Sequence, residues 1–501
     1  MSRVLSALAR HAAINPAALA LESGAQRLCY LPLLEKVTRL ADFLRRRRPR
    51  VLALHADNGI DWAVADLAAL AAGVPLLPLP TFFTYAQLEH AMTQAGADLL
   101  LCDRPALFAG LAFVTRAEAD AAPGTDSLVA MSRACMAASL PAGTAKITYT
   151  SGSTGEPRGV CLAQEALEAV ALSLQQASGA APQDRHLAVL PLATLLENIG
   201  GLLVPMLAGA TCVLPGMAGT GLSGSSGVDV PRFLHAIGAS RASSLILVPQ
   251  LLHLLVLALE QGAPRPPALR HVAVGGAPVS PTLLARAAAV GLPVFEGYGL
   301  SECASVVSLN RAGALRPGSV GRVLPHAEVA IAGDGEIQVR GAGLLGYVDG
   351  PAHRDADGWL ATGDIGHVDA DGYLHLEGRK KNMFITAYGR NVAPEWVERE
   401  LTAQPAIAQA AVFGEGRPFN AAVLVLRPEV SAGAAEAAVQ AANRQLPDYA
   451  RVTRWLPAAA PFSAANGQAT ANGRLRRGPI AQRYAQALQQ LYCEDTHGLL
   501  R

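Results

Sequence analysis

The sequence predicts an α/β protein in three parts: a long region of alternating strands and helices, a short antiparallel unit, and a compact α+β tail. Three observations carry this expectation. Up to about residue 300, apolar runs of strand length alternate with helical patterns, as in parallel sheets covered by helices. Between about 318 and 376, short β-prone runs are separated by Asp-Gly and glycine turns, the texture of an antiparallel or barrel-like unit. After Gly378 strand and helix patterns mix over a shorter length. Hydrophobic residues make up 51% of the 501 and charged residues 16%. That is ample material for buried cores, in roughly three folding units.

In the first part, expected strands are Val51 to His55, Pro75 to Leu79, Leu99 to Cys102, Ala188 to Leu190, Thr211 to Leu214, Ser244 to Val248, His271 to Val274 and Pro293 to Phe295. Helical periodicity falls at Trp62 to Ala72, Tyr85 to Ala95, Gln164 to Ser178 and Pro281 to Ala289. The arginine run Arg45 to Arg48, with Arg50, reads as a solvated helix end. Leu245 to Leu259 is the most apolar stretch, but Pro249, Gln250 and His253 interrupt it and it is too short to span a bilayer. It reads as a buried strand followed by a helix. Gly216 to Gly227, rich in glycine and serine, reads as a mobile surface loop. In the second part, Glu328 to Ile331 and Glu336 to Val339 are short strands. In the tail, Val397 to Leu401, Ala432 to Leu446 and Ile480 to Leu491 are helical, and Ala410 to Phe413 and Ala421 to Leu426 are strands. The chain has no internal repeats.

Bulk properties exclude several classes. Lys+Arg number 41 against 40 Asp+Glu, a net charge of +1, which gives no basic surface for nucleic acid. The seven cysteines form neither C-x-x-C nor a zinc-spaced set with histidine. Reduced thiols in a cytoplasmic protein fit that scatter. No signal-peptide pattern opens the sequence and no segment reads as an integral membrane span.

The most informative stretch is T-S-G-S-T-G-E-P-R-G-V, Thr150 to Val160, which follows the β-prone Lys146-Ile147-Thr148-Tyr149. Its glycines allow turns closed to other residues, so backbone N–H groups and hydroxyls can converge on phosphate oxygens. It lacks the lysine pattern of a Walker loop. Alone it reads equally as a flexible linker or a phosphate cradle. Further motifs follow in order: Gly275-Gly276-Ala277-Pro278 and Gly297-Tyr298-Gly299-Leu300-Ser301-Glu302 after strands, Thr362-Gly363-Asp364 among turns, Gly378-Arg379 opening the tail, Gly389-Arg390-Asn391, and Asn472-Gly473-Arg474 near the end. Each has a bland reading as a turn; the ordered set points to one site.

With these motifs in place, the chain resembles the adenylate-forming (AMP-binding) superfamily of acyl-CoA synthetases, peptide-synthetase adenylation domains and luciferases, over nearly its whole length. It is most similar to the fatty-acyl ligases, through Gly378 to Glu398 (G-R-K-K-N-M-F-I-T-A-Y-G-R-N-V-A-P-E-W-V-E) and Leu190 to Glu197 (L-P-L-A-T-L-L-E). The resemblance implies a large N-terminal domain, residues 1–380, with two α/β sheets and a distorted barrel. A small mobile C-terminal domain, 381–501, would hinge at Lys381. It implies that Thr150, Ser151, Gly152, Ser153, Thr154 and Gly155 hold the ATP phosphates with Arg158. Gly276, Ala277, Tyr298 and Gly299 would also bind ATP, Tyr298 stacking on adenine. Ser301 would touch the α-phosphate, where the family often has threonine. Glu302 would bind Mg²⁺, a cation that prefers oxygen ligands. Asp364, with Arg379, would hold the ribose. Thr194, Gly275, Cys303, Gly389 and Arg390 would border the acyl pocket or the thiol channel. The implied reaction is attack of a carboxylate on the α-phosphorus of ATP. Transfer follows to the thiol of coenzyme A or of a phosphopantetheine-bearing acyl carrier protein. Both reactants of the first step are anions, so catalysis must neutralise and align charge.

Three departures from the family pattern bear on that expectation. Arg158 stands where the phosphate loop usually has lysine. Arg474 stands where a near-hallmark lysine bridges the substrate carboxylate and the α-phosphate. Lysine occurs only at Lys36, Lys146, Lys380 and Lys381, so general replacement of lysine by arginine accounts for both changes. Arginine keeps the charge but is bulkier and forked, and a weakened first step or a silent nucleotide binder is the alternative. Many long-chain ligases have histidine or an aromatic residue near the position of Thr194, which reads equally as a sign of changed substrate or acceptor preference and as an ordinary helix start. The segments around the acid pocket are apolar and small, with no aspartate to hold an amine, so a hydrophobic aliphatic acid is expected. Passage of the adenylate to another acceptor, forming an amide or β-lactone, is the nearest rival reading.

Overall fold

Alternate residues of the expected strands enter different cores, which fixes the layering. The computed structural model describes residues 2–108, 110, 120–133, 138–150, 158–223, 227–341, 343–348, 350–352, 354–470 and 473–493. Leu52 and Leu54 point into the largest core and Val51 and Ala53 into another. Ala188 and its neighbours Leu187 and Val189 divide in the same way. With a side-chain period of two, a sheet buried on both faces must supply two cores.

Two nine-stranded sheets form the large N-terminal domain. The first runs Arg322–Val323, Ser308–Leu309, Val294–Tyr298, His271–Val274, Ser244–Leu247, Arg185–Leu187, Thr211–Val213, Leu19–Ser23 and Gln26–Cys29 from edge to edge. Its middle strands are parallel. The second runs Gly350–Pro351, Leu344–Tyr347, Arg158–Ala163, Thr144–Thr150, Leu76–Pro78, Leu52–His55, Leu99–Cys102, Val129–Ser132 and Asp120–Ala121. The helices Ile60–Ala72, Gln164–Ser178 and Val204–Ala208 contribute to the core that reaches both sheets. The helices Val230–Ser240, Pro249–Glu260 and Pro281–Ala289 cover the outer face of the first sheet. Of the unit expected at 318–376, a four-stranded antiparallel sheet forms, ordered Ala327–Ile331, Glu336–Gly341, Leu360–Val368, Leu374–Arg379, while Arg322–Val323, Leu344–Tyr347 and Gly350–Pro351 join the edges of the two large sheets. The smaller C-terminal domain carries the three-stranded sheet Ile407–Phe413, Asn420–Leu426, Val452–Pro457 under the helices Pro394–Thr402 and Ala432–Asn443.

Several expected elements shift. The strand placed at Ala188 to Leu190 lies three residues earlier, at Arg185–Leu187. Thr362, Gly363 and Asp364 are inside a strand rather than among turns, and Gly297 and Tyr298 end a strand instead of following one. The tail helix at Ile480 to Leu491 is two helices, Arg477–Arg483 and Ala485–Cys493. The Gly216 to Gly227 stretch is not a free loop where it is described. Met217–Thr220 forms a 3₁₀ turn, and Leu222–Ser223 pairs with Gly227–Val228. The Met217 amide donates to Asp57 at 3.0 Å, and Thr220 is buried. The Arg45 to Arg48 run is the expected helix end, closed by Arg48 in the left-handed region at φ 51°. Among the described residues, no helix is long and apolar enough to cross a membrane.

Candidate active site

A cleft of about 2030 Å³ lies between the two domains, and most of the expected site residues line it. Parallel strands deliver their C-terminal ends to one side, where backbone and loop residues can meet a ligand. The strand His271–Val274 ends in Gly275, Gly276 and Ala277, all on the cleft wall, with Gly276 at φ +86°. The neighbouring strand Val294–Tyr298 delivers Tyr298. A side chain at Gly299 would put a Cβ 1.7 Å from the Ser305 carbonyl oxygen, so only glycine fits there. Ser301 and Glu302 follow in a 3₁₀ turn on the cleft wall. The turn closes with Ala304 and Ser305 at φ 52° and 93°, a conformation that costs non-glycine residues about 1–3 kcal/mol each.

Tyr298, Asp364 and Arg379 form a hydrogen-bonded unit. The Tyr298 hydroxyl donates to Asp364 Oδ2 at 2.7 Å. Arg379 Nε meets Asp364 Oδ1 at 2.8 Å, and its Nη1 donates to the Thr362 carbonyl at 3.2 Å. Asp364 and Arg379 face each other across adjacent strands in register, which sets the pair. Burial raises the Asp364 carboxyl above its ordinary range, against the pull of Arg379 and the Tyr298 hydroxyl. Burial also pushes the Tyr298 hydroxyl well up. Both groups line the cleft.

Arg474 comes from the C-terminal domain. It closes a turn in which the Thr470 amide donates to the Arg474 carbonyl at 2.7 Å and the Arg474 amide to Thr470 Oγ1 at 3.1 Å. Its side chain is open to the cleft and crowded by protein. Burial and nearby Arg379 lower its pKa, while Asp364 and Glu302 oppose this. Lys381 stands in the same field: burial, Arg379 and Arg474 lower its pKa and Glu395 opposes them. The interdomain cleft thus collects three cations around the Asp364 and Glu302 carboxylates, a charge pattern made for an anionic ligand.

On the other wall, Arg158 stacks its guanidinium over the Tyr347 ring at 3.9 Å and lines the cleft. Thr150 ends a strand paired with Arg158. Ser151, Gly152, Ser153, Thr154 and Gly155 lie outside the described residues, as do Ala471 and Asn472. Thr194 caps the turn Leu195–Glu197 by position, but its hydroxyl donates to the Pro191 carbonyl at 2.7 Å and the residue borders the cleft. Three expected pocket residues are not on the cleft wall. Cys303 is turned into the core, where burial pushes its thiol up to about 12. Gly389 and Arg390 form an exposed turn, in which the Gly389 amide donates to Thr386 and the Thr386 amide to Arg390. Among the described residues no group of three His, Cys, Asp or Glu surrounds a metal site. A Mg²⁺ ion fits Glu302 only with phosphate and water as its other ligands, the usual arrangement for this cation.

Sequence reasoning did not find four buried polar groups. Lys146 Nζ meets Asp66 Oδ1 at 2.5 Å and also bonds Asn198. Glu197 is fully buried, accepting from the Leu190 amide at 3.0 Å and meeting His186 Nε2 at 2.8 Å. Glu296 lines the cleft and has one carboxyl oxygen without a hydrogen-bond partner. Burial raises it to about 7, opposed by the Val279 amide and Arg399. His253 and Arg427 meet at the domain seam; burial and Arg427 lower the histidine to about 4.

Comparison with known proteins agrees with this architecture. The AMP-binding enzyme family matches residues 8–348, and the AMP-binding enzyme C-terminal domain matches residues 381–496. The chain belongs to the AMP-binding enzyme family, close to acyl-CoA ligases. It is 33% identical to the long-chain-fatty-acid–CoA ligase FadD15 of Mycobacterium bovis over 45% of this chain and 42% of that one. That match therefore spans under half of the relative's length. A feruloyl-CoA synthase from Amycolatopsis sp. is 31% identical over 82% of this chain and 85% of its own. The fold matches o-succinylbenzoate CoA synthetase from Bacillus subtilis, solved with its acyl-adenylate intermediate, with a TM-score of 0.76 and 25% identity over 96% and 98% of the two chains.

Proposed function

We propose that the protein is an ATP-dependent acid–thiol ligase. It activates a hydrophobic carboxylic acid as the acyl-adenylate with release of pyrophosphate, then transfers the acyl group to a thiol. The observation that carries this reading is Arg474 facing Asp364, Glu302 and Arg379 from the opposite domain. A guanidinium there neutralises charge where carboxylate and α-phosphate meet, and its position on the second domain lets domain rotation remove it once the adenylate has formed. Tyr298 and Ala277 would border adenine, Asp364 and Arg379 the ribose, and Ser301 the α-phosphate. Arg158 and the Thr150 to Gly155 loop would take the outer phosphates. Glu302 would hold Mg²⁺, which supplies charge neutralisation at the phosphates when bound. Rotation about Lys381 would bring the Gly389–Arg390 turn, now outside the cleft, to the thiol's approach.

Coenzyme A is the favoured acceptor, because named relatives are CoA ligases. An acyl carrier protein is the second acceptor to test. A fatty acid is the favoured acid, on the apolar lining at Leu195, Leu196, Val248 and Leu251. The test is pyrophosphate release over a panel of carboxylic acids, followed by mass spectrometry of products with coenzyme A and with phosphopantetheinylated carrier protein. Acid-dependent pyrophosphate and an acyl-CoA product are expected. Nucleotide binding with no acid-dependent pyrophosphate would overturn the ligase reading in favour of a silent binder.

A further inference from the structure

The cleft runs down the inner face of the first sheet and passes a row of polar side chains. Strand register sets the order. Val248 and Gly275 lie at the nucleotide end. Two residues back, Ile246 pairs with Ala273; two further back, Ser244 pairs with both His186 and His271. Register partners and residues two apart share a face, and all seven line the cleft. Ala273 is partly exposed although its strand is central in the sheet, so the opening to this end passes over Ala273. Ile246 closes the neighbouring lane, since its Cδ1 lies 2.5 Å from where a side chain on Gly200 would begin.

At the far row, His186 Nδ1 meets Ser244 Oγ at 2.9 Å while its Nε2 meets Glu197. Glu197 is in turn fixed by the Leu190 amide. A side chain on Gly201 would strike both Glu197 and His186, at 2.2 and 2.8 Å, so this glycine lets the pair form. Whichever imidazole nitrogen carries the proton, the Ser244 hydroxyl keeps either a donor or an acceptor for the cleft. His271 stacks on Phe295 at 4.7 Å, and burial holds its ring neutral. Beyond it, Arg270 Nε donates to Asp184 at 2.8 Å, which ties up the nearby cation. The row thus offers neutral hydrogen-bonding groups and no free charge.

Four residues of strand separate Gly275 from His271, about 13 Å at roughly 3.3 Å per residue. An extended chain advances roughly 1.2 Å per bond, so about ten carbons span the distance. Resting on the ligase reading, we infer that the preferred acid is an aliphatic chain of about ten carbons carrying a neutral hydroxyl at or near its far end, received by Ser244 and His271. A plain methyl end would set an apolar group against the hydrogen-bonding capacity of the Ser244 hydroxyl that His186 does not use.

The experiment is steady-state pyrophosphate release by the full chain with decanoic, 10-hydroxydecanoic, decanedioic, hexanoic and 4-hydroxyphenylpropanoic acids. The hydroxy acid is expected to exceed decanoic acid in kcat/KM by about tenfold or more. That preference should fall to within about threefold in Ser244→Ala. Independently, Ala273→Phe should cut kcat/KM for both ten-carbon acids at least about tenfold while sparing hexanoic acid. Equal or better use of decanoic acid, or a preference for the dicarboxylic or phenolic acid, overturns the inference and leaves the ligase reading standing. Unchanged ten-carbon activity in Ala273→Phe also overturns it. If no acid releases pyrophosphate, the ligase reading falls and this inference falls with it.

Discussion

The two halves of the site are built on opposite principles. In the large domain, Tyr298, Asp364 and Arg379 stand on paired strands, held to one another by hydrogen bonds over an apolar core. Across the cleft, Arg474 stands on a turn and Lys381 on a connecting segment. The joint between the domains is polar. Ser280 donates to Glu400 at 3.4 Å, Arg286 to the Ala403 carbonyl at 3.2 Å, and His253 and Arg427 sit together partly desolvated. A joint of imperfectly satisfied polar groups regains hydration when it opens, whereas an apolar core loses stabilisation. Under the proposed ligase reading, one half would hold the nucleotide and the other would arrive and leave.

The strongest way to break this contrast is to stiffen the proposed hinge. Lys381→Pro fixes φ at one residue, while the Asn382 and Met383 amides still donate to Arg379. Thioester formation from adenylate should fall by about 10²-fold, well beyond the loss in adenylate formation that removing the Lys381 charge brings. Equal loss of both half-reactions in rapid-quench assays would reject a hinge there. Removing the arriving charge comes next. Arg474→Ala should slow adenylate formation by roughly 10²-fold or more, with little effect on acyl transfer from supplied adenylate. An unchanged adenylation rate would remove Arg474 from the reaction. Smaller is Arg158→Lys, which gives up the fork and the stacking on Tyr347. A rise of about three- to tenfold in KM for ATP is expected, with kcat nearly unchanged.

Much of the fold was legible in the sequence, and the errors have a common cause. The helices Gln164–Ser178 and Pro281–Ala289 and the strand His271–Val274 lie where periodicity predicted them. The strand at Arg185–Leu187 was placed three residues late because Asp184, Arg185 and His186 break the apolar run. Those polar residues include the histidine that bonds Ser244 in the cleft. Thr362 to Asp364 read as a turn because glycine and aspartate are poor strand formers, yet Asp364 is where the strand meets Arg379. The buried pairs Glu197–His186 and Lys146–Asp66 join residues from different elements, and no local pattern reveals such partners. Only their order along the chain made the motifs at Tyr298, Glu302, Asp364 and Arg474 readable as one site.

A further expected effect concerns stability at the seam rather than turnover. Glu296 keeps its proton to about pH 7 in the folded protein, against an ordinary value of 4.5. Between those values the folded state binds more protons than the unfolded state, so this group lowers stability as pH rises from 4.5 to 7. The swing is on the order of 3 kcal/mol. Glu296→Gln should remove it, leaving the melting temperature at pH 5 nearly unchanged and raising it at pH 8. The same melting shift between pH 5 and 8 in wild type and variant would show that Glu296 titrates normally.

The turn after Glu302 bears on anyone wishing to engineer this protein. Ala304 and Ser305 sit in a backbone region that favours glycine, and a consensus-minded designer would relax them to glycine for thermal tolerance. The gain would come with a looser tether on Ser301 and Glu302. Heat resistance and turnover would then move in opposite directions, so durability is better sought at the far sheet edges.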